Sequence, residues 1–128
     1  MPQVDAVIFK KKGKRKTLTL ILDDGDDILV SIKQGMKQHN LEEARVDDMQ
    51  GTIKEGTISY MDGHQYKAKN LINQQMIMAS GNFKLSFDEL FGSMHITTAG
   101  KNPLTATFVK GRAAQGLQIK FSFIELEE

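Results

Sequence analysis

Only one stretch of this chain carries a helical period, and that restricts its fold more than any other feature. In "DDGDDILVSIKQGMKQHN", Ile28, Ile32, Gly35, Met36 and His39 fall on one face of a 3.6-residue repeat, while Lys33, Lys37 and Gln38 point away. Asp26 or Asp27 can accept the free amide protons of the first turn, and Asn40 can take the left-handed conformation that stops a helix. One helix over about Asp27 to His39 is therefore predicted, and the rest must be built from strands.

After Gly51 the pattern is that of strands and turns. "TIKEGTISYMDGHQYKA" sets Asp62-Gly63 between two alternating segments, a hairpin signal in which a two-residue turn needs positive φ at both positions. Further strands are expected at Met76 to Ala79, Phe83 to Phe87, Ser93 to Thr98, Leu104 to Val109 and Leu117 to Leu126, with turns at "AGKNP" and "KGRAAQG". Upstream of the helix, Val4 to Phe9 and Leu18 to Leu22 flank the basic run "KKKGKRK", which reads as a hairpin with Gly13 near its middle. In the last strand Leu117, Ile119, Phe121, Phe123 and Glu125 share one face, and Gln118, Lys120, Ser122 and Ile124 the other. Met76 and Met78, on either side of Ile77, should share a face in a core or a subunit interface. About seven strands and one helix imply an α+β fold, a curled antiparallel sheet with the helix packed on it.

At 128 residues the chain fits one domain spanning 1–128. The absence of cysteine excludes thiolate zinc sites, disulfide chemistry and cysteine nucleophiles. "MPQVDAVIF" lacks the build of a signal peptide, and no apolar run approaches the roughly 18 residues of a membrane span, so a soluble, cytoplasmic protein is expected. The chain carries 17 Lys and Arg against 16 Asp and Glu, and Lys10, Lys11, Lys12, Lys14, Arg15 and Lys16 concentrate the positive charge, leaving the remainder net acidic.

The order strand, acid-capped helix, then "QGTIKEGTISYMDGHQYKAKNLINQQMIMASGNFKL" and "SMHITTAGKNPLTATFVKGRA" resembles the PPC domain, the plant and prokaryote conserved domain found beside AT-hooks in plants and standing alone in bacteria and archaea. The strings that carry the resemblance, from about Leu18 to Leu126, are Ser80-Gly81-Asn82 after an apolar strand, the "YMD" hairpin before it, and His95 on the following strand. The resemblance implies an antiparallel sheet with one helix, assembly as a homotrimer, no cofactor, and a DNA-binding label whose biochemical basis in single-domain members is poorly defined. Prokaryotic members often have a His-x-His on one strand and a third His on the next, a set that can hold a metal ion. The matching positions here are Ser93, His95 and about Thr107, so His95 alone would remain, and no metal site is expected. The plant Gly-Arg-Phe-Glu-Ile-Leu stretch falls opposite Ile72 to Ile77 and is not reproduced.

Two candidate sites follow. Residues 10–16 would contact DNA or another polyanion without sequence reading, since Lys12-Gly13-Lys14-Arg15 lacks the proline and paired arginines of an AT-hook; the competing reading is a solvated hairpin tip that blunts an edge. A second candidate is a pocket at a subunit boundary formed by Ser80, Asn82, Ser93, His95 and Thr107, suited to a small ligand or metal. "DDGDD" resembles part of a calcium loop, but the twelfth residue from Asp23 is Gln34 where that loop needs glutamate, and helix capping explains it better. Asp47-Asp48 and Asp88-Glu89 read as loop and turn residues. With no Gly-x-Ser-x-Gly, Gly-x-Gly-x-x-Gly or Gly-Lys-Ser/Thr string, a non-enzymatic binding or assembly domain is the reading the sequence supports.

Overall fold

The computed structural model describes residues 13–126. Its elements are β1 (Gly13–Ile21), α1 (Ile28–Gln38), β2 (Glu43–Asp62), β3 (Gln65–Ser86), β4 (Glu89–Thr98), β5 (Thr105–Ala113) and β6 (Gln118–Leu126). All pairings are antiparallel in the order β1-β6-β2-β3-β4-β5, and β5 returns to pair with β2. β2 therefore serves two neighbours along one edge, β6 through Arg45 to Gln50 and β5 through Ile53 to Ser59, while β3 runs along its other edge. A ring of β2, β3, β4 and β5 results, with β6 and β1 continuing as a curved extension. This is the curled antiparallel sheet with one helix that the sequence implies.

The helix forms where period and caps place it. Asp27 Oδ1 accepts from the Val30 amide at 3.0 Å, His39 closes the C-terminus, and Asn40 turns the chain with φ 54°. Ile28, Ile32, Gly35 and Met36 are buried against the inner face of the sheet, with Gly35 against the Leu20 side chain, whereas His39 is exposed beyond the last turn. The inner face is completed by Val46, Met49, Ile53, Met76, Met94, Ile96, Ile119 and Phe121, all but inaccessible to water.

Several strand boundaries differ from the sequence pattern. β2 begins at Glu43, so Asp47 and Asp48 lie in a strand and not in a loop. A bulge at Asp47, where the β2–β6 register shifts between Val46 and Asp48, breaks the alternation that would have revealed it. Met76 to Ala79 and Phe83 to Ser86 belong to one 22-residue strand, because Gly81 continues the ladder instead of breaking it. A Cβ there would overlap the Ser93 carbonyl oxygen and the Met94 backbone, so the glycine serves close approach of β3 and β4. Met76 and Met78 lie on opposite faces, the first buried and the second exposed, since Ile77 forms a bulge between them.

The β2–β3 hairpin exists, but its turn is one residue later than expected. Asp62 pairs with Gln65, which leaves Gly63-His64 as the turn, and only Gly63 has positive φ (63°). A turn with glycine at its first central position needs positive φ only there, which explains the slip. At the β3–β4 turn, Phe87 and Asp88 both have positive φ (50° and 64°), so Phe87 leaves the strand assigned to it and is fully exposed. Asp88 is tied to Lys37 and approaches Lys33 of α1. Lysines beside the carboxylate, Lys37 by hydrogen bond first, hold it below the ordinary aspartate range. The expected hairpin around Gly13 is a strand from Gly13 onward; Val4 to Phe9 and Lys10 to Lys12 lie outside the described residues. Among the described residues no helix is long and apolar enough to cross a membrane.

Candidate functional site

The expected pocket residues and one described cation of the basic run, Arg15, lie on the same face of the sheet. Successive Cα partners across five strands are Thr17 on β1, Ser122 on β6, Arg45 on β2, Asn82 on β3 and Ser93 on β4. One step along, Ser80 pairs with His95, and His95 pairs with Thr107 on β5. All five residues of the expected pocket thus lie on the outer face, opposite the core side chains Ala79, Met94 and Ile96. Ser80, Asn82, Ser93 and His95 are exposed and Thr107 is partly covered. Within one chain these residues form a polar strip, and Asn82 also lines the open groove beside Leu41, Phe83 and Phe123. Ser80, Ser93, His95 and Thr107 line neither of the two clearest grooves of the described surface. Next to the strip, the hydroxyls of Thr97 and Thr105 lie 2.8 Å apart.

The basic run divides between the two faces. Arg15, opposite Ile124, projects on the same side as Thr17 and the strip, whereas Lys14 and Lys16 alternate to the other side. Lys16 pairs with Glu125 at 2.5 Å, and both side chains remain about half exposed, 49% and 55%. The pair stands at the rim of an open groove floored by Leu41, Phe83 and Phe123.

Other residues on the outer face were not singled out by sequence reasoning. Arg45 Nε donates to Asp47 at 2.8 Å, and the Ser122 hydroxyl also donates to that carboxylate. Burial raises the Asp47 carboxyl, but these hydrogen bonds and the charges of Arg45 and Arg15 outweigh it and hold the group below its ordinary value. Lys84 stands opposite Phe91 across β3 and β4. Arg45 could have been found only by recognising that β2 starts at Glu43. No group of three or more His, Cys, Asp or Glu able to hold a metal occurs among the described residues, so the strip offers His95 with hydroxyl and amide neighbours.

The family model of the Plants and Prokaryotes Conserved (PCC) domain matches residues 9–124. This chain belongs to the PCC domain family. That name denotes the same domain as the resemblance drawn from "SGN", "YMD" and His95. Solved structures share the PCC fold at low identity. A Pyrococcus horikoshii plant- and prokaryote-conserved protein is 23% identical, with a TM-score of 0.68 over 92% of this chain and 82% of its own. A metal-containing protein of Archaeoglobus fulgidus is 18% identical, with a TM-score of 0.69 over 91% of this chain and 84% of its own. A Ralstonia eutropha protein provisionally named as DNA-binding is 15% identical, with a TM-score of 0.64 over 85% and 76%. No curated protein matches the chain significantly.

Proposed function

We propose that this PCC domain, taken as one domain over the whole chain, is a non-enzymatic cytoplasmic assembly module that forms a homotrimer and makes salt-sensitive contact with DNA or another polyanion through Lys10 to Lys16. The observation that carries the polyanion reading is that the described end of a run of six cations, Lys14 to Lys16, lies in edge strand β1, where Arg15 faces the same side of the sheet as Arg45. Cations placed so close together repel one another unless a dense anion lies near. The provisional DNA-binding names of the similar Ralstonia eutropha and Bacteroides thetaiotaomicron proteins are consistent with it. For self-association the support is the outer face itself, where Met78, Phe91 and Ile124 are about half exposed around the polar strip.

Fluorescence anisotropy of labelled duplex DNA at two salt concentrations tests the contact. Binding should weaken steeply with salt, by about 0.9 in log–log slope for each phosphate neutralised. Changing the six cations to glutamine should abolish it; retained binding with an unchanged slope would refute the assignment. Light scattering coupled to gel filtration tests the trimer.

A second reading is favoured by the alignment of Ser80, His95 and Thr107 in one cross-strand row. If a neighbouring copy covers that row, it becomes a subunit-boundary pocket for a small ligand or metal. Thermal stabilisation by a divalent cation or metabolite, lost in His95→Ala, would support this reading over the first.

A further inference from the structure

The β2–β3 hairpin outruns its neighbours. Pairing of β2 with β5 ends where Ser59 meets Thr107, whereas β2 and β3 stay paired as far as Asp62 and Gln65. Among the described residues the end of the hairpin is therefore a two-stranded ribbon, and residues 61–70 are exposed throughout. Such a ribbon is only marginally stable in water without a third strand or a covering layer. Its ladder fixes which residues share a face. Ile58 and Leu71 are buried, so Met61 with Tyr66, Ser59 with Ala68, and Glu55 with Ile72 lie on the opposite, outer side. The tip of this face carries Met61 and Tyr66, 52% and 81% exposed, and its base carries Ile72, 77% exposed. Between them stand small side chains, with the Thr57 hydroxyl donating to Asn70 Oδ1 at 3.2 Å. At the base, Glu55 and Ile72 border a shallow depression of about 470 Å³, where Arg112 approaches the Glu55 carboxylate at 3.8 Å.

We infer that this face docks on the same face of a second copy, the two ribbons lying antiparallel about a twofold axis so that Tyr66 of each covers Ile72 of the other. The contact is distinct from the homotrimer proposed above, whose support is Met78, Phe91 and Ile124, and does not depend on it. The face itself specifies its occupant. An axis lying in the face and crossing β3 at Lys69 exchanges Tyr66 with Ile72 and Ala68 with Asn70, so one rotation satisfies both ends, as an isologous contact requires. The small Ser59 and Ala68 near its centre let the two ribbons approach to about 10 Å, the spacing of stacked sheets. At each end the chemistry is matched as well. A phenol ring meets an aliphatic side chain, and its hydroxyl finds an acceptor in Glu55, which stands beside Ile72 on the ladder. Each copy gives one tyrosine and receives another, and the ribbon gains the layer it lacks. Combined with a threefold assembly, such a twofold contact makes six copies; without one it makes two.

Light scattering coupled to gel filtration, run over a dilution series of the full chain, tests the contact. At high concentration the wild type should have twice the mass of Tyr66→Ser and of Ile72→Ser. Phe87→Ser is the matched control and should keep the wild-type mass, since Phe87 is more exposed still and lies at the other hairpin turn. Tyr66→Phe should weaken the doubling about ten-fold, because each contact loses two hydrogen bonds. The chain has no cysteine, so Ala68→Cys provides a unique label. A bismaleimide spanning about 10 Å should join two such chains and should leave Lys101→Cys chains, labelled in the β4–β5 connection, unjoined.

Equal loss of mass in Phe87→Ser would reduce the effect to general apolar adhesion and overturn the inference. So would a wild-type mass that Tyr66→Ser and Ile72→Ser leave unchanged: if that mass is three chains the homotrimer stands without this contact, and if it is one chain both fall. A wild type of two chains that drops to one in Tyr66→Ser supports the contact and removes the homotrimer. Circular dichroism melts confirm that each variant is folded.

Discussion

Met94 and His95 are adjacent in sequence and belong to different environments. Met94 is 0% exposed against Ile96, Phe83 and the helix side of the sheet, while His95 stands in solvent between Ser80 and Thr107. Adjacent strand residues point to opposite faces, so a single ladder supplies a packed interior and an open exterior from the same hydrogen bonds. The inner face is fixed by volume and exclusion of water. Charge, hydroxyls and half-exposed apolar groups on the outer face leave it free to specialise. Substitutions on the two faces should therefore differ in their effect on stability, which variants can test.

Met94→Ala should give the largest effect, a loss of about 2–5 kcal/mol in urea unfolding, because a fully buried thioether leaves a cavity the strands cannot close. A loss below 1 kcal/mol would mean that the inner face is not tightly packed. Gly81→Ala comes next, at about 1–3 kcal/mol, since the added methyl must push against the Ser93 carbonyl and the Met94 backbone. Asp27→Ala should cost about 1 kcal/mol by removing the cap on the Val30 amide, a helix effect independent of either face. His95→Ala should change the intrinsic stability of the fold by no more than about 0.5 kcal/mol, while abolishing any ligand-dependent stabilisation of the strip. A large intrinsic loss there would break the comparison.

Acid sharpens it further. Asp47 on the outer face and Asp88 at the β3–β4 turn both have carboxyls held below their ordinary value of 3.8. Their folded-state pKa values are depressed, so the stabilisation is present above the unfolded pKa and is lost as pH falls through the folded one. Melting temperature should therefore decline below about pH 4. The decline should be shallower in Asp47→Asn and Asp88→Asn, whose melting temperatures near neutral pH should lie slightly below that of the wild type. Identical acid limbs in variant and wild type would show that these carboxylates make no difference.

The helix was legible because both its period and its ends are written locally, in Ile28, Ile32, Met36, Asp27 and Asn40. The antiparallel sheet and its hairpins were legible from alternation, but the outer face shared by Ser80, Asn82, Ser93 and His95 was not, because Ser80 to Asn82 read as a break between two strands. What could not be read were the interruptions of that alternation. Ala44, Val46 and Met49 are all buried, as are Met76 and Ala79, at spacings no regular strand allows. The bulges at Asp47 and Ile77 reset the phase, and their cause is the register of partners distant in sequence. For the same reason, Arg45 did not appear as a neighbour of Asn82, nor Lys16 as a partner of Glu125. The convergence of the basic run and the polar strip on one sheet depends on pairing β1 with β6, which no local string encodes.

That pairing also has a consequence in time. Among the described residues β1 has β6 as its only ladder partner, and their contacts join Gly13 to Leu126 across nearly the whole chain. During synthesis β1 emerges first and must wait for β6. The ring of β2 to β5 can close earlier, but the basic strand remains unpaired until the end of the domain leaves the ribosome. Long-range closure of this kind slows folding and prolongs the exposure of edges. A nascent chain would therefore carry Lys16 without its Glu125 partner, beside the polyanionic ribosome, until β6 arrives.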